Sequence, residues 1–226
     1  MSPILYVGNK NYSSWSLRSW LALTWSEIPF ETRPIALGGE GYGQARSASG
    51  LAVSPSGLVP ALHVGQTVVW DSLAISEWAA ENTPGAQLWP ADPESRAVCR
   101  AATCEMHSGF AAIRNSLPCN IRRRAGPRVP SRISGEDVRY ELMRLEALWN
   151  ELRARFGRDG PYLFGSAPTI ADAFYAPIAT RLRTYGVTLG GAAQIYAHTI
   201  LADSAFLAWE KDAIAEAWTM PVWDDY

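Results

Sequence analysis

The chain has 226 residues, 48% of them hydrophobic and 19% charged, with a formal net charge of −2. That length and apolar share suit a folded protein with a substantial core and exclude a chain disordered throughout. A sequence pI of about 5.9 leaves no overall field to draw in nucleic acid or an anionic membrane, and no window holds an apolar run long enough for a spanning helix.

The first ten residues have neither a basic opening nor a long apolar stretch, so no secretory signal is expected. Residues 4–7 read as a strand, closed by a Gly8-Asn9-Lys10-Asn11 turn. Ser13 and Ser14 are good N-caps for a helix in which Leu17, Trp20, Leu21 and Thr24 recur at helical spacing. Residues 30–35 read as a second strand, and Pro34, which has no N–H to give to a ladder, confines it to an edge. Residues 37–58 are rich in Gly, Ser and Ala and predict a loop with at most a short irregular helix. Its Gly38-Gly39-Glu40-Gly41-Tyr42-Gly43 run lacks the ending of a nucleotide loop and reads as a flap or a plain loop. Residues 61–64 and 67–70 flank Gly65-Gln66 as a hairpin. Asp71-Ser72 then opens a helix whose inner positions are Leu73, Ile75, Trp78 and Ala79.

This order calls for a small mixed sheet with helices. Past residue 83 the pattern changes to a Pro-rich linker and then to helical periodicity alone, over 94–118, 135–156, 169–185 and 202–217. The expected organisation is an α/β unit over 1–82, a linker over 83–93 and an all-α bundle over 94–226. Cys99, Cys104 and Cys119 form no CxxC pair and read as reduced, mostly buried thiols of a cytoplasmic protein. His63, His107 and His198 are scattered without ligand spacing, so no metal is expected.

Three places carry chemistry. In Tyr12-Ser13-Ser14-Trp15-Ser16-Leu17-Arg18, two hydroxyls stand where a turn enters a helix, whose unpaired N–H groups and positive dipole end favour an anion such as a thiolate. One charge-assisted bond plus the dipole can lower a thiol pKa by about 1.5–2 units; the same serines can equally be plain caps. In Ser56-Gly57-Leu58-Val59-Pro60-Ala61-Leu62 a proline stands at a strand mouth, either as an edge feature or as a cis peptide that leaves the backbone of Val59 free for an extended ligand. Asp71-Ser72 offers an acid and a hydroxyl to the two ends of an amino-acid-like group, or is a bare capping pair.

In order and spacing, these three motifs together with Ala167-Pro168-Thr169-Ile170-Ala171-Asp172-Ala173 resemble the cytosolic glutathione S-transferases of the serine type, zeta- and tau-like at the N-terminus. The resemblance spans nearly the whole chain. It implies a thioredoxin-like N-terminal domain, an all-α helical-bundle C-terminal domain and a homodimer. It implies glutathione as co-substrate, with Ser13 (or Ser14) activating its thiol. Val59 and Pro60 would meet its cysteinyl part, with Pro60 the cis-proline, and Asp71 and Ser72 its γ-glutamyl end. Thr169 and Asp172 match the family's helix-capping pair.

Two positions depart from the family pattern. Trp15 stands where zeta members have a cysteine, which argues against a zeta-type isomerase and against thiol–disulfide reduction. Leu58 stands where many relatives carry Lys or Gln, so the glycyl carboxylate needs another holder. Tyr12 and Trp15 are expected to wall a pocket for a small hydrophobic electrophile, and the tail from Trp218 to Tyr226 is long enough to fold over it, with Trp209, Trp218 and Trp223 as further walls. The expected activity is a transferase of alkyl or aryl groups, of the kind that serves detoxification. Conjugation, ether cleavage, dehalogenation and isomerisation share its mechanism; the alternative is a non-catalytic ligand-binding or interaction module. Arg122, Arg123, Arg124, Arg128 and Arg132 read as a solvated interhelical loop, or else as a steering patch for an acidic substrate.

Overall fold

The structure is a computed structural model and describes residues 2–38, 48–124 and 129–224. Strand β1 (Ile4–Gly8) alternates half-buried and buried positions, sending Leu5 and Val7 into the core. Helix α1 (Ser14–Trp25) follows, then β2 (Glu31–Ile35), the short α2 (Ala48–Leu51), β3 (Ala61–Val64), β4 (Thr67–Val69) and α3 (Ser72–Asn82). The sheet order is β2-β1-β3-β4, with β1 and β2 parallel and the other neighbours antiparallel. Pro34 pairs with Val7 on the edge strand, the place its missing N–H allows. The Gly38–Gly43 run falls mostly outside the described residues.

Beyond a 3-10 turn at Pro84–Ala86, the described residues form helices, with one isolated bridge between Tyr162 and Gly165: α4 (Pro93–Ser108), α5 (Ala111–Ser116), α6 (Val129–Ile133), α7 (Glu136–Phe156), α8 (Ile170–Tyr185), α9 (Gly191–Ala202), α10 (Ser204–Ala215) and α11 (Pro221–Asp224). Helix α8 is buried at every residue except Arg183 and packs against α1, α4 and α9. It is therefore the post to which the sheet half is attached. Its start is fixed by Asp172, whose carboxylate accepts the Thr169 N–H at 2.7 Å, the Thr169 hydroxyl at 2.8 Å and the Leu163 N–H at 3.2 Å.

Three helical expectations need correction. The continuous run expected over 94–118 is broken at Gly109, where a Cβ would lie 2.6 Å from the Glu105 carbonyl oxygen, and Phe110 takes φ +53°. Helix α9 (Gly191–Ala202) fills the stretch between 185 and 202, where the sequence pattern predicts no helix. Its first turn is satisfied from α7: Glu146 accepts the Gly190 N–H at 2.9 Å and Asn150 the Ala193 N–H at 2.9 Å. Asp203 then caps α10 through Ala205 and Phe206, so the helix expected from 202 begins two residues later. Cys99 and Cys119 are buried and Cys104 is exposed, all three as free thiols.

Candidate functional site

The site grows from the turn between β1 and α1. Gly8 has no room for a side chain, since a Cβ there would collide with Leu37 and press on Ser13. The chain turns on Asn9, whose carbonyl accepts the N–H groups of Tyr12 at 3.0 Å and Ser13 at 2.8 Å. Ser13 is the N-cap of α1: its hydroxyl donates to Ser16 Oγ at 2.7 Å and accepts the Ser16 N–H at 3.4 Å. Ser16 Oγ also accepts the Gly8 N–H at 3.0 Å, which closes a small ring of bonds around the cap. Ser14 is differently placed. Its Oγ accepts from Nη2 of Arg181, on α8, at 3.3 Å. The two serines are 8% and 7% exposed, so access alone does not distinguish them.

The Val59–Pro60 peptide is cis, and the backbone N–H and C=O of Val59 bond to none of the described residues. Asp71 caps α3 through Oδ1, which accepts from Leu73 at 2.9 Å and Ala74 at 3.5 Å. Its Oδ2 faces Nε2 of His107 on α4 at 3.1 Å. Ser72 is fully buried and its hydroxyl is without a partner among the described residues, as is Nδ1 of His107. Unpaired polar atoms of this kind are costly unless a ligand takes them up.

A cationic seam runs between the two halves. The Arg18 guanidinium lies 4.3 Å from the Trp15 ring centroid and 4.8 Å from that of Phe174 on α8. Arg114 of α5 approaches the same indole at 5.7 Å, and the His107 ring meets it edge-on at 5.3 Å. Arg18 is fully buried, and none of its three nitrogens has a hydrogen-bond partner among the described residues. Burial, followed by the charges of Arg181 and Arg114, pulls its pKa down to about 9, while Asp71 acts in the opposite sense. Burial likewise lowers the pKa of Arg114 and of Arg181. Asp71, itself turned to His107, is the carboxylate that acts on Arg18, and Glu141 the one that acts on Arg114, while Arg181 has none among the described residues. Chemically the seam is short of an anion.

Trp15, 36% exposed, lies on this seam. Tyr12 points elsewhere. Its hydroxyl donates to Asp224 Oδ2 at 2.6 Å and accepts from Arg122 at 3.1 Å and from the Met220 N–H at 3.1 Å. The tail is thereby fastened over Tyr12, with Trp223 packed on its ring at 5.8 Å. Trp209 is fully buried on Trp20 and donates to the Lys10 carbonyl, so it belongs to the core.

Within the arginine cluster, Arg122 and Arg123 are turned onto the tail. Arg122 donates to the carbonyls of Glu216 and Trp218, both at 2.7 Å, and Arg123 to that of Asp224 at 2.7 Å. Arg124 and Arg132 also donate to carbonyls, those of Ile121 and Ser116; Arg128 lies outside the described residues. His107, Arg114 and Arg181 were not singled out from sequence as site residues. A signal existed for Arg181 alone, a charged residue within an otherwise apolar helical face. Among the described residues no group of three or more His, Cys, Asp or Glu side chains is arranged to hold a metal, and no helix is long and apolar enough to cross a membrane.

Comparison with known proteins covers both halves. Residues 12–82 match the family model of the glutathione S-transferase N-terminal domain, and residues 120–213 that of the C-terminal domain. A maleylacetoacetate isomerase of Pseudomonas aeruginosa is 30% identical over 190 residues, spanning 82% of this chain and 84% of that protein. A maleylpyruvate isomerase of a Ralstonia species is 29% identical over 184 residues, spanning 80% and 85%. Among solved structures, a holo maleylpyruvate isomerase, described as a bacterial zeta-class glutathione S-transferase, superposes with a TM-score of 0.69 at 25% identity over 95% of this chain and 98% of that one.

Proposed function

The chain belongs to the glutathione S-transferase family, and from that premise we propose that it is a glutathione-dependent enzyme that isomerises a small unsaturated carboxylic acid about its double bond. The observation that carries the choice of substrate is Arg18, a fully buried guanidinium with no partner, beside Arg114 and Arg181. Relatives that act on maleyl acids support the same reading, even though Trp15 replaces the cysteine of the zeta motif. The acidic substrate replaces the hydrophobic electrophile expected from the sequence.

The residues present fit glutathione: the unpaired backbone of Val59 suits its cysteinyl peptide, and the Asp71 carboxylate and the unpartnered Ser72 hydroxyl suit its γ-glutamyl end. When bound, glutathione supplies a thiolate, the nucleophile whose reversible addition lets a conjugated double bond rotate. A serine hydroxyl at the start of α1, with the dipole of that helix, holds the negative charge there. Arg18 and Arg114 receive the carboxylate of the substrate, and a guanidinium does so most strongly where water is excluded. Trp15 covers that pair and keeps water out.

Family membership adds a homodimer in the cytoplasm to this proposal. A second reading, conjugation of an apolar electrophile, is favoured only by the exposed face of Trp15. Titration of glutathione against tryptophan fluorescence and by calorimetry, followed by proton NMR of maleylpyruvate with and without glutathione, tests the proposal. Saturable binding and glutathione-dependent conversion are expected. Binding without conversion, together with turnover of aryl halides, would favour the second reading. No binding would leave the fold with a ligand-binding role.

A further inference from the structure

Resting on that reading, we propose that His63 of β3 is a positioning residue for glutathione: it ties down the segment that presents the backbone of Val59 to the cysteinyl peptide. The alternation of the strands places it there. Leu5, Val7 and Leu62 fill the core on one face of the sheet, so Tyr6 and His63 stand on the other. His63 pairs with Ile4 in the ladder, and its ring lies 4.7 Å from that of Tyr6, the diagonal neighbour. Tyr6 is held in turn by Arg33 of β2, whose guanidinium donates to its hydroxyl at 3.4 Å. Beside this stack, Nε2 of His63 meets the Val53 carbonyl at 2.7 Å. A carbonyl oxygen only accepts, so Nε2 carries the hydrogen in that bond.

The bond reaches back ten residues, from the strand that follows Pro60 to Val53, and so closes a loop that carries Val59. Inside that loop the order is local. The N–H groups of Val53 and Ser54 go to the Gly50 carbonyl at 3.1 and 2.9 Å, and that of Gly57 to the Ser54 carbonyl at 2.9 Å. The hydroxyls of Ser54 and Ser56 share a hydrogen bond at 2.9 Å, and Ser56 Oγ accepts the Leu58 N–H at 3.2 Å. These bonds shape the segment without attaching it to the sheet; His63 supplies an attachment. At the end of the segment stand the exposed Leu58 and the cis Val59–Pro60 peptide, with the N–H and C=O of Val59 bonded to none of the described residues. Leu58 brings no side-chain donor, so glutathione relies at this edge on backbone groups, which bind well where the chain is already ordered. A segment freed at Val53 has to be ordered again each time the ligand pairs with Val59.

The test reads glutathione affinity and turnover together in the full-length protein. In His63→Ala the dissociation constant from calorimetry is expected to rise about five- to tenfold. The KM for glutathione in the conversion of maleylpyruvate should rise in step, while kcat at saturating glutathione stays within about twofold of the parent. The side-chain amide of glutamine reaches about as far as Nε2 of histidine and can donate to a carbonyl, so His63→Gln should bind within about twofold of the parent. Asparagine reaches only as far as Nδ1, and His63→Asn should behave as the alanine variant does; it replaces His63→Ala if that variant does not fold. Hydrogen exchange gives the structural readout: in His63→Ala the amides of Ser54 and Gly57 should exchange faster, while those of α1 and α3 stay protected. An alanine variant that binds as tightly as the parent would overturn the proposal. So would a glutamine variant as weak as the alanine one, or a loss of protection spread over the whole sheet half. Absence of glutathione binding to the parent protein in calorimetry would instead sink the transferase reading, and this proposal with it.

Discussion

His107 Nε2 lies 3.1 Å from Asp71 Oδ2, so the carboxylate that caps α3 beside the sheet is also gripped by α4 of the helical half. One side chain thus ties a local structural role to the junction where the site is built. The two roles separate by substitution. Asp71→Asn keeps an oxygen for the Leu73 and Ala74 N–H groups and should melt close to the parent, while its glutathione affinity falls about tenfold. Asp71→Ala should lose that affinity and about 1 kcal/mol of stability as well. Calorimetry alongside thermal unfolding checks both; equal melting temperatures for the two variants would refute the dual role.

Arg18 is the residue at which stability and function oppose each other. With no partner and no exposure, its charge burdens the fold, and its stacking on Trp15 and Phe174 offsets only part of that burden. Arg18→Met is expected to stabilise the protein by about 1–2 kcal/mol at neutral pH and to raise the KM of an acidic substrate at least tenfold. The pH dependence has a definite sign. The folded pKa, about 9, is below the ordinary arginine value, so the penalty is in full force below about 9 and shrinks as the folded protein releases the proton at higher pH. The advantage of Arg18→Met in denaturant unfolding should therefore narrow above about pH 9.

The tail offers a third prediction. Arg122 binds Tyr12, Glu216 and Trp218 at once, and the Met220 N–H is shared between Tyr12 Oη and Asp224 Oδ2. In Arg122→Ala the amides around Met220 should exchange with deuterium at least tenfold faster, while those of α8 stay protected. Uniform loss of protection across the molecule would show that the arginine holds more than the tail.

At the other end of the core, Asp172 answers three donors from a fully buried position. Asp172→Ala orphans the N–H groups of Thr169 and Leu163 and should cost about 2–4 kcal/mol in denaturant unfolding. A cost below about 1 kcal/mol would mean that the capping box contributes no more than an exposed cap.

Much of this arrangement is legible in the residues. The strands, the hairpin, the Ser13 and Asp71 caps and the Thr169–Asp172 box are short-range features, set by β-rich runs, turn residues and side chains that reach their own backbone. What escapes a linear reading depends on partners far along the chain. Helix α9 begins at a glycine pair because Glu146 and Asn150 wait for its N–H groups. The arginines after Ile121 look solvated until the tail, some ninety residues later, lies over them. Tyr12 looks like a pocket wall beside the serines, yet Asp224 and Arg122 claim its hydroxyl. The site is the extreme case, because Arg18, His107, Arg114 and Arg181 come from four helices and meet only when α1 packs on α8.

The central claim is that this cationic seam selects an acid, and comparing a maleyl acid with its methyl ester tests it most directly. Both carry the same double bond, and each is followed for glutathione-dependent cis–trans conversion by NMR. The seam predicts kcat/KM at least a hundredfold higher for the acid, with the preference largely lost in Arg18→Met. Equal conversion of acid and ester, or a preference that survives Arg18→Met, would contradict it.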